Sequence, residues 1–303
     1  MQSRLRATSV FASALLIACI LSAVESTGAS PVDETEPIDE KQWSIERKEW
    51  NGELAAGYEV EIINPYGDIR VRHGAGRELY FLATVQGHQD DPRKARVEAK
   101  AKDSAEGSAD NSRGTTRIEV EYPNEAELDL PQIPASWNKR RVDLTVFVPI
   151  DTDTTLRTLA GLAEVRGLEG DLDVSTETGD MRLRIAGGLR AKTVHGDILA
   201  QFRRTRWQDA SRIESLTGTI RAELPSGGRA EVELETRGEI TTDYSITIRR
   251  SEKSQLKQAT AKIGVAGPSL SIKSNKGPIK LIESIVPEAA PKPKDGQSKE
   301  PNS

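Results

Sequence analysis

Between about Trp43 and Val286 the hydrophobic and polar positions alternate with a period of two. Val60 and Ile62 follow Tyr58 with Glu59 and Glu61 between them, and Ile118, Val120 and Tyr122 are separated by Glu119 and Glu121. Val142, Leu144, Val146 and Val148 alternate with Asp143, Thr145 and Phe147; Met181, Leu183 and Ile185 with Arg182 and Arg184; Val232 and Leu234 with Glu231, Glu233 and Glu235. Successive side chains of a strand point to opposite faces, so this pattern predicts strands with one buried face. The segment from Asp91 to Lys102 comes nearest to a helical pattern, yet Ala95, Val97, Ala99 and Ala101 alternate there too, and it is expected to be a strand.

A short phrase punctuates these strands: glycine, a turn-compatible residue, then an aliphatic residue. It reads Gly67-Asp68-Ile69, Gly170-Asp171-Leu172, Gly179-Asp180-Met181 and Gly196-Asp197-Ile198, then Gly218-Thr219-Ile220, Gly238-Glu239-Ile240 and Gly277-Pro278-Ile279. After Gly170 the glycine spacings are 9, 17, 22, 20 and 39 residues, the last close to two units of 20. Such recurrence marks a stacked array, and the half-length step of 9 implies two strands per unit. Glycine reaches positive φ without steric cost and Asp bonds nearby backbone, so each pair ends one strand and redirects the chain into the next. The aliphatic residues two after each glycine then stack as an interior ladder.

The predicted fold is therefore all-β: a parallel β-solenoid-like repeat array over residues 151–286, preceded by a sheet-rich N-terminal part over 43–150 that caps or continues it. A β-sandwich is the alternative with the same strand pattern. Composition agrees with small repeated layers, because only 4% of residues are aromatic and the apolar material is mainly Val, Ile, Leu and Ala.

The N-terminus changes the picture of where such a protein works. Arg4 and Arg6 precede an uncharged run from Ala7 to Val24, which is followed by Glu25 and the small residues Ser26 to Ala29, the layout of a signal peptide over 1–29. The run is long enough that an uncleaved membrane anchor is the alternative. Cys19, the single cysteine, sits in Leu16-Ile17-Ala18-Cys19, a context like a lipobox, and is a candidate lipid attachment site. The residues after it stay apolar, and the alternative is one more small residue of the apolar run. The reading places the protein in the periplasm, the cell envelope or the outer surface.

Residues 30–42 form an acidic, Pro-containing flexible lead, and residues 287–303 a Pro- and Lys-bearing tail predicted to be disordered by composition. The formal charge of −5 is mild and spread along the chain, and carries no footprint of nucleic-acid binding.

Chemistry is sparse. Asp171, Asp180 and Asp197 could align along one solenoid edge, but each belongs to a turn that uses it structurally, so no catalytic residue is assigned. Calcium-binding β-roll turns need Gly-Gly-x-Gly-x-Asp, and Gly187-Gly188 and Gly227-Gly228 are not followed by that Asp. His73, His88 and His195 lack the spacing that gathers a zinc site, and neither metal nor cofactor is expected. One cluster stands out, Phe202-Arg203-Arg204-Thr205-Arg206-Trp207, in the long 22-residue interval; Arg203, Arg204, Arg206 and Trp207 are the candidate partner-binding loop.

The stretch from Val142 to Ile248 carries a Val-Asp-Leu-Thr-Val-Phe-Val-Pro opening, Thr-Gly-Asp and His-Gly-Asp-Ile phrases, and Ser-Leu-Thr-Gly-Thr-Ile-Arg-Ala-Glu-Leu-Pro. It resembles the bacterial putative-adhesin family, a domain of unknown function, and Asn64-Pro65-Tyr66-Gly67-Asp68-Ile69 resembles that family's first repeat. The resemblance spans roughly residues 43 to 286 and implies an exported or membrane-linked β-solenoid. It supplies no catalytic residues. The functional expectation is a non-enzymatic binding or scaffold module facing an envelope or extracellular polymer or protein. A polysaccharide-active enzyme using edge carboxylates and a self-assembling envelope protein are the alternatives.

Overall fold

The computed structural model describes residues 43–54, 57–89, 94–102, 114–123, 140–250, 255–265 and 267–288. The expected signal peptide with Cys19, the acidic lead up to Lys41 and Gln42, and the tail from Ala289 lie outside the described residues.

All regular structure among the described residues is strand. The first part holds β1 (Trp43–Glu53), β2 (Glu59–Ile63), β3 (Ile69–His73), β4 (Glu78–His88), β5 (Arg96–Lys102), β6 (Thr115–Glu121) and β7 (Arg140–Val148). Four pairs follow: β8 (Thr154–Ala160) and β9 (Ala163–Leu168), β10 (Leu172–Thr178) and β11 (Met181–Ile185), β12 (Leu189–His195) and β13 (Ile198–Phe202), β14 (Ser211–Ser215) and β15 (Ile220–Ser226). The chain ends with β16 (Ala230–Thr236), β17 (Ile240–Thr242), β18 (Ile246–Arg250), β19 (Lys257–Ile263), β20 (Ser269–Ser274) and β21 (Ile279–Pro287).

These strands build two sheets rich in parallel pairs, one of 10 strands ordered β1-β4-β7-β3-β9-β11-β13-β15-β21-β17 and one of 11 ordered β18-β19-β16-β20-β14-β12-β10-β8-β2-β6-β5. A rung is one strand of the 11-stranded sheet, a corner, and one strand of the 10-stranded sheet. The fold is the expected all-β, β-solenoid-like array, and β2–β3 and β6–β7 belong to the same stack as the later rungs.

The stack does not follow the chain at its ends. β6–β7 lies outside β2–β3, and β16–β17 lies outside β20–β21. The expectation that the 39-residue glycine step spans two successive units is thus overturned. That interval contains the antiparallel pair β18–β19, after which β20–β21 inserts between β14–β15 and β16–β17. Parallel pairing registers only the strand pattern and the corner, which are the same in each rung, so order in sequence does not dictate order in space.

Inside, Leu144, Ile69, Ala163, Met181, Ile198, Ile220 and Ile279 stand in register as one continuous column, each at most 1% exposed. Burying each Ile or Leu contributes roughly 1.5–3 kcal/mol, so many modest side chains replace a bulky aromatic centre. Four edges remain. β1 covers one through an antiparallel ladder to β4, with Trp50 stacked on Phe81 at 5.8 Å. The edge strand β5, within the predicted strand from Asp91 to Lys102, carries Arg96 and Lys100, while at the other end β17 is only three residues long. Charged or very short edges resist pairing with another chain.

The corners explain the glycines. Gly67, Gly161, Gly179, Gly196, Gly218, Gly277 and Gly238 form one column along the first corner, in that spatial order. At Gly218 a Cβ would sit 1.7 Å from the carbonyl oxygen of Gly196, so only hydrogen fits. Gly170 belongs to the opposite corner, stacked on Thr152 and under Gly187. The 9-residue step from Gly170 to Gly179 therefore runs from one corner to the other, and Gly161, which lacks the Asp, is the true predecessor of Gly179.

Three residues before most first-corner glycines stands a buried hydroxyl or amide: Asn64, Thr158, Thr176, Thr193, Ser215 and Ser274, with Thr236 two before Gly238. Ser215 Oγ accepts the Gly218 N–H at 2.9 Å and donates to the Gly196 carbonyl at 3.4 Å. Thr236 repeats the pattern, accepting from Gly238 N–H at 2.8 Å and donating to the Gly277 carbonyl at 2.7 Å. One hydroxyl thus satisfies the corner's orphan donor and ties it to the adjacent rung.

Candidate binding faces

The turn aspartates act between rungs. Asp180 Oδ1 accepts the Asp197 N–H at 2.9 Å, and Asp197 Oδ1 accepts the Thr219 N–H at 2.7 Å. At the other corner Asp153 accepts from Asp171 N–H at 2.8 Å, and Asp171 accepts from Gly188 N–H at 2.7 Å. The expectation was that each carboxylate shapes its own turn; instead it holds the backbone 17 to 22 residues away. Asp68 accepts the Leu162 N–H at 3.1 Å and also binds Arg70 at 2.6 Å and Arg141 at 2.7 Å. Burial alone would lower the Arg141 guanidinium, but Asp143 and Asp68 outweigh it and hold it above its ordinary value. Beside it burial pushes the Tyr122 phenol up while its hydroxyl donates to the Tyr66 carbonyl at 2.5 Å.

The histidines do not converge. His88 meets the Trp43 ring edge-on at 5.7 Å, His195 Nδ1 lies 3.1 Å from Thr217 Oγ1, and His73 packs near Gly167.

The arginine-rich loop, at the corner between β13 and β14, packs its aromatic inward rather than displaying it. Trp207 is 5% exposed, its ring lies 4.9 Å from Phe202, and its indole N–H donates to the Ser269 carbonyl at 3.1 Å. Arg204 forks onto Glu169 at 3.2 and 3.3 Å. Arg206 reaches Glu288 at 3.6 Å while remaining largely exposed. Arg203 is half-buried, its N–H bonded to the Ile185 carbonyl at 2.7 Å. The loop therefore leaves Arg206 exposed and keeps Trp207 inside.

The long outward faces are the other surfaces with chemistry. On the 11-stranded sheet, hollows of about 370, 500 and 650 Å³ follow one another along the stack. The first two share Lys192 and Val194, and the last two share Glu235 and Lys273. A register column of Arg157, Ser175, Lys192, Glu214, Lys273 and Glu235 runs through them, alternating in sign from Lys192 onward. Leu216, 42% exposed, borders the middle hollow. Glu231, Glu233 and Glu235 of β16 add an acidic strip, bordered by the cations Lys262 of β19 and Arg249 of β18.

The outer face of the 10-stranded sheet is basic where the other is mixed. One register column of its outer face holds Arg70, Glu164, Arg182, Leu199, Arg221 and Lys280. The neighbouring column holds Arg72, Arg166, Arg184, Gln201 and Glu223. Glu164 gathers Arg72 at 3.0 Å, Arg166 at 2.5 Å and Arg70 at 3.9 Å, and Glu223 pairs with Arg221 at 2.6 Å. Arg182 and Arg184 are exposed and form no ion pair with any described residue. The periodicity makes Arg182 and Arg184 legible as outward positions, but only register between rungs brings the other cations alongside them.

Residues 59–282 match the family described as Toastrack DUF4097, and the chain belongs to that family, a domain of unknown function. Among solved structures it is similar to a putative cell adhesion protein from Clostridium sporogenes ATCC 15579, at 13% identity and a TM-score of 0.46, covering 79% of this chain and 100% of that one. It is also similar to a putative adhesin from Bacteroides fragilis NCTC 9343, at 9% identity and a TM-score of 0.30, covering 79% of this chain and 97% of that one. No curated protein matches the chain.

Proposed function

We propose that this chain is an exported, non-enzymatic binding or scaffold module that presents its solenoid faces to an envelope or extracellular partner. The observation that carries the reading is the outer face of the 10-stranded sheet, where Arg182 and Arg184 stand exposed among register-aligned neighbours instead of being neutralised within the fold. The charged, signal-like N-terminus supports export. The turn carboxylates that would serve a polysaccharide-active enzyme accept backbone N–H groups, which supports binding over catalysis.

The test is retention of envelope and extracellular fractions on immobilised full-length chain. The expected result is saturable retention of a defined component, competed by free chain. Absence of saturable retention overturns the reading, and release of reducing or unsaturated sugar, lost in Asp180→Asn or Asp197→Asn protein that remains folded, replaces it with an enzyme.

A further inference from the structure

The chain carries a net charge of −5, yet one of its two outer faces is basic. Along β3, β9, β11, β15 and β21 the outward positions supply Arg70, Arg72, Arg166, Arg182, Arg184, Arg221 and Lys280 against Glu164 and Glu223. Parallel rungs repeat at about 4.8 Å, so these cations form a two-column ribbon running along the stack, across the strands. Held on a rigid sheet, they cannot move apart to lower their mutual repulsion, and the arrangement is stabilised by any anion that bridges them.

From this ribbon we infer that the outer face of the 10-stranded sheet binds a linear carboxylated polysaccharide, a polyuronate, laid along the solenoid axis with Arg182 and Arg184 as its central contacts. The inference rests on the binding-module reading and names its ligand class.

Three observations select this occupant. First, the ligand must be long and repeatedly charged, because the cations recur along the stack on β3, β9, β11, β15 and β21, with the β13 rung between β11 and β15 carrying none. Second, the face already holds a carboxylate in the manner proposed: Glu164 sits among Arg70, Arg72 and Arg166, and the guanidinium fork matches carboxylate geometry. Arg182 and Arg184, on the next rung, are exposed and form no ion pair with a carboxylate of any described residue, although Glu164 is the register neighbour of Arg182. Third, Leu199 and Gln201, not aromatic rings, occupy the rung beyond them. Single-stranded nucleic acid is normally held by stacking on aromatics, and a flat sheet does not enter a duplex groove. A membrane surface would want apolar anchors beside the cations; the apolar outward residue next to Arg182 is the half-buried Leu199, and the exposed Ile285 and Val286 lie on β21, three strands from β11 in the sheet.

The experiment titrates full-length protein with polygalacturonate by calorimetry at low and at physiological salt, beside dextran, polyphosphate, duplex DNA and phosphatidylglycerol vesicles. Expected is saturable polygalacturonate binding, weakened by salt and at least tenfold weaker in Arg182→Gln/Arg184→Gln protein. Glu231→Gln/Glu233→Gln protein, altered on the opposite face, should bind as the parent does. Circular dichroism and urea midpoints matching the parent exclude misfolding, and if they do not match, Arg182→Lys/Arg184→Lys protein is used, expected to keep the charge attraction but lose the bidentate geometry, with several-fold weaker binding. Unchanged affinity in the folded double variant, or stronger binding of polyphosphate, DNA or vesicles, overturns the inference. Retention of extracellular material without polygalacturonate binding removes only the ligand class; loss of both removes the module reading as well.

Discussion

Replacing Gly218 by alanine tests whether the glycine column exists for space between rungs or for backbone freedom. The added Cβ would lie 1.7 Å from the Gly196 carbonyl oxygen and 2.4 Å from its carbon. An ordinary C···O approach is roughly 3.3 Å or more, so the rungs must part by about 1.5 Å at this corner. Overpacking of this kind costs about 1–3 kcal/mol. Parting the rungs also strains the Ile198 N–H bond to the Thr219 carbonyl at 2.9 Å and the Ser215 hydroxyl's bond to the Gly196 carbonyl at 3.4 Å. At about 1 kcal/mol each, these bring the expected loss to roughly 3–5 kcal/mol, a large part of a domain's stability. The comparison is Gly227→Ala, where φ is 76° and nothing lies within 4 Å of the new methyl, so only the left-handed conformation is penalised, by about 1–2 kcal/mol. Urea unfolding followed by tryptophan fluorescence measures both. Equal midpoint shifts in the two variants would refute the column as a steric device.

The buried hydroxyls should divide by their bonding. Thr236→Val orphans the Gly238 N–H and the Gly277 carbonyl and should cost about 1–3 kcal/mol for each group left unpaired, whereas Thr193 Oγ1 is buried without a partner among the described residues and Thr193→Val should be neutral or stabilising in the same urea assay. Trp207→Ala removes the plug over Phe202 and should cost about 3–5 kcal/mol, while Arg206→Ser, at an exposed pair, should cost under about 1 kcal/mol; similar shifts in thermal unfolding would contradict the assigned roles. Burial, then Glu283 and Asp243, push the Tyr244 phenol up to about 12. The folded state therefore holds this proton more tightly than the unfolded chain, whose phenol titrates near about 10. Its stabilising contribution is complete below pH ~10 and is lost as pH rises through ~12. Phenolate absorbance of Tyr244→Phe protein should lack one late-titrating group, and an unchanged high-pH titration would contradict this.

Local physics made much of the architecture legible in the sequence. The alternation at Val60 and Ile62, at Met181 to Ile185 and at Val232 and Leu234 predicts a buried face because strand side chains alternate whatever the surroundings, and these positions are buried. Gly196-Asp197 and its relatives announce corners because the steric need for glycine is written in the residue itself. Asn64, Ser215 and Ser274 three residues before a corner glycine were a readable signal too, though one that gains meaning only when the glycine carbonyl of the next rung is in place.

Pairing partners depended on tertiary structure. Each rung offers the same pattern and the same corner, so the placement of β6–β7 outside β2–β3, and of β20–β21 inside β16–β17, is decided by contacts between residues far apart in the chain. The same holds for charge. Arg182 and Lys192 look alike in sequence as outward cations, but stacking places one between Glu164 and Leu199, with Arg70 and Arg221 two rungs away on either side, and the other between Ser175 and Glu214. One sheet face thereby becomes basic and the other mixed, because electrostatics sums over neighbours in space and the period-two pattern reports only which side of its own strand a residue faces.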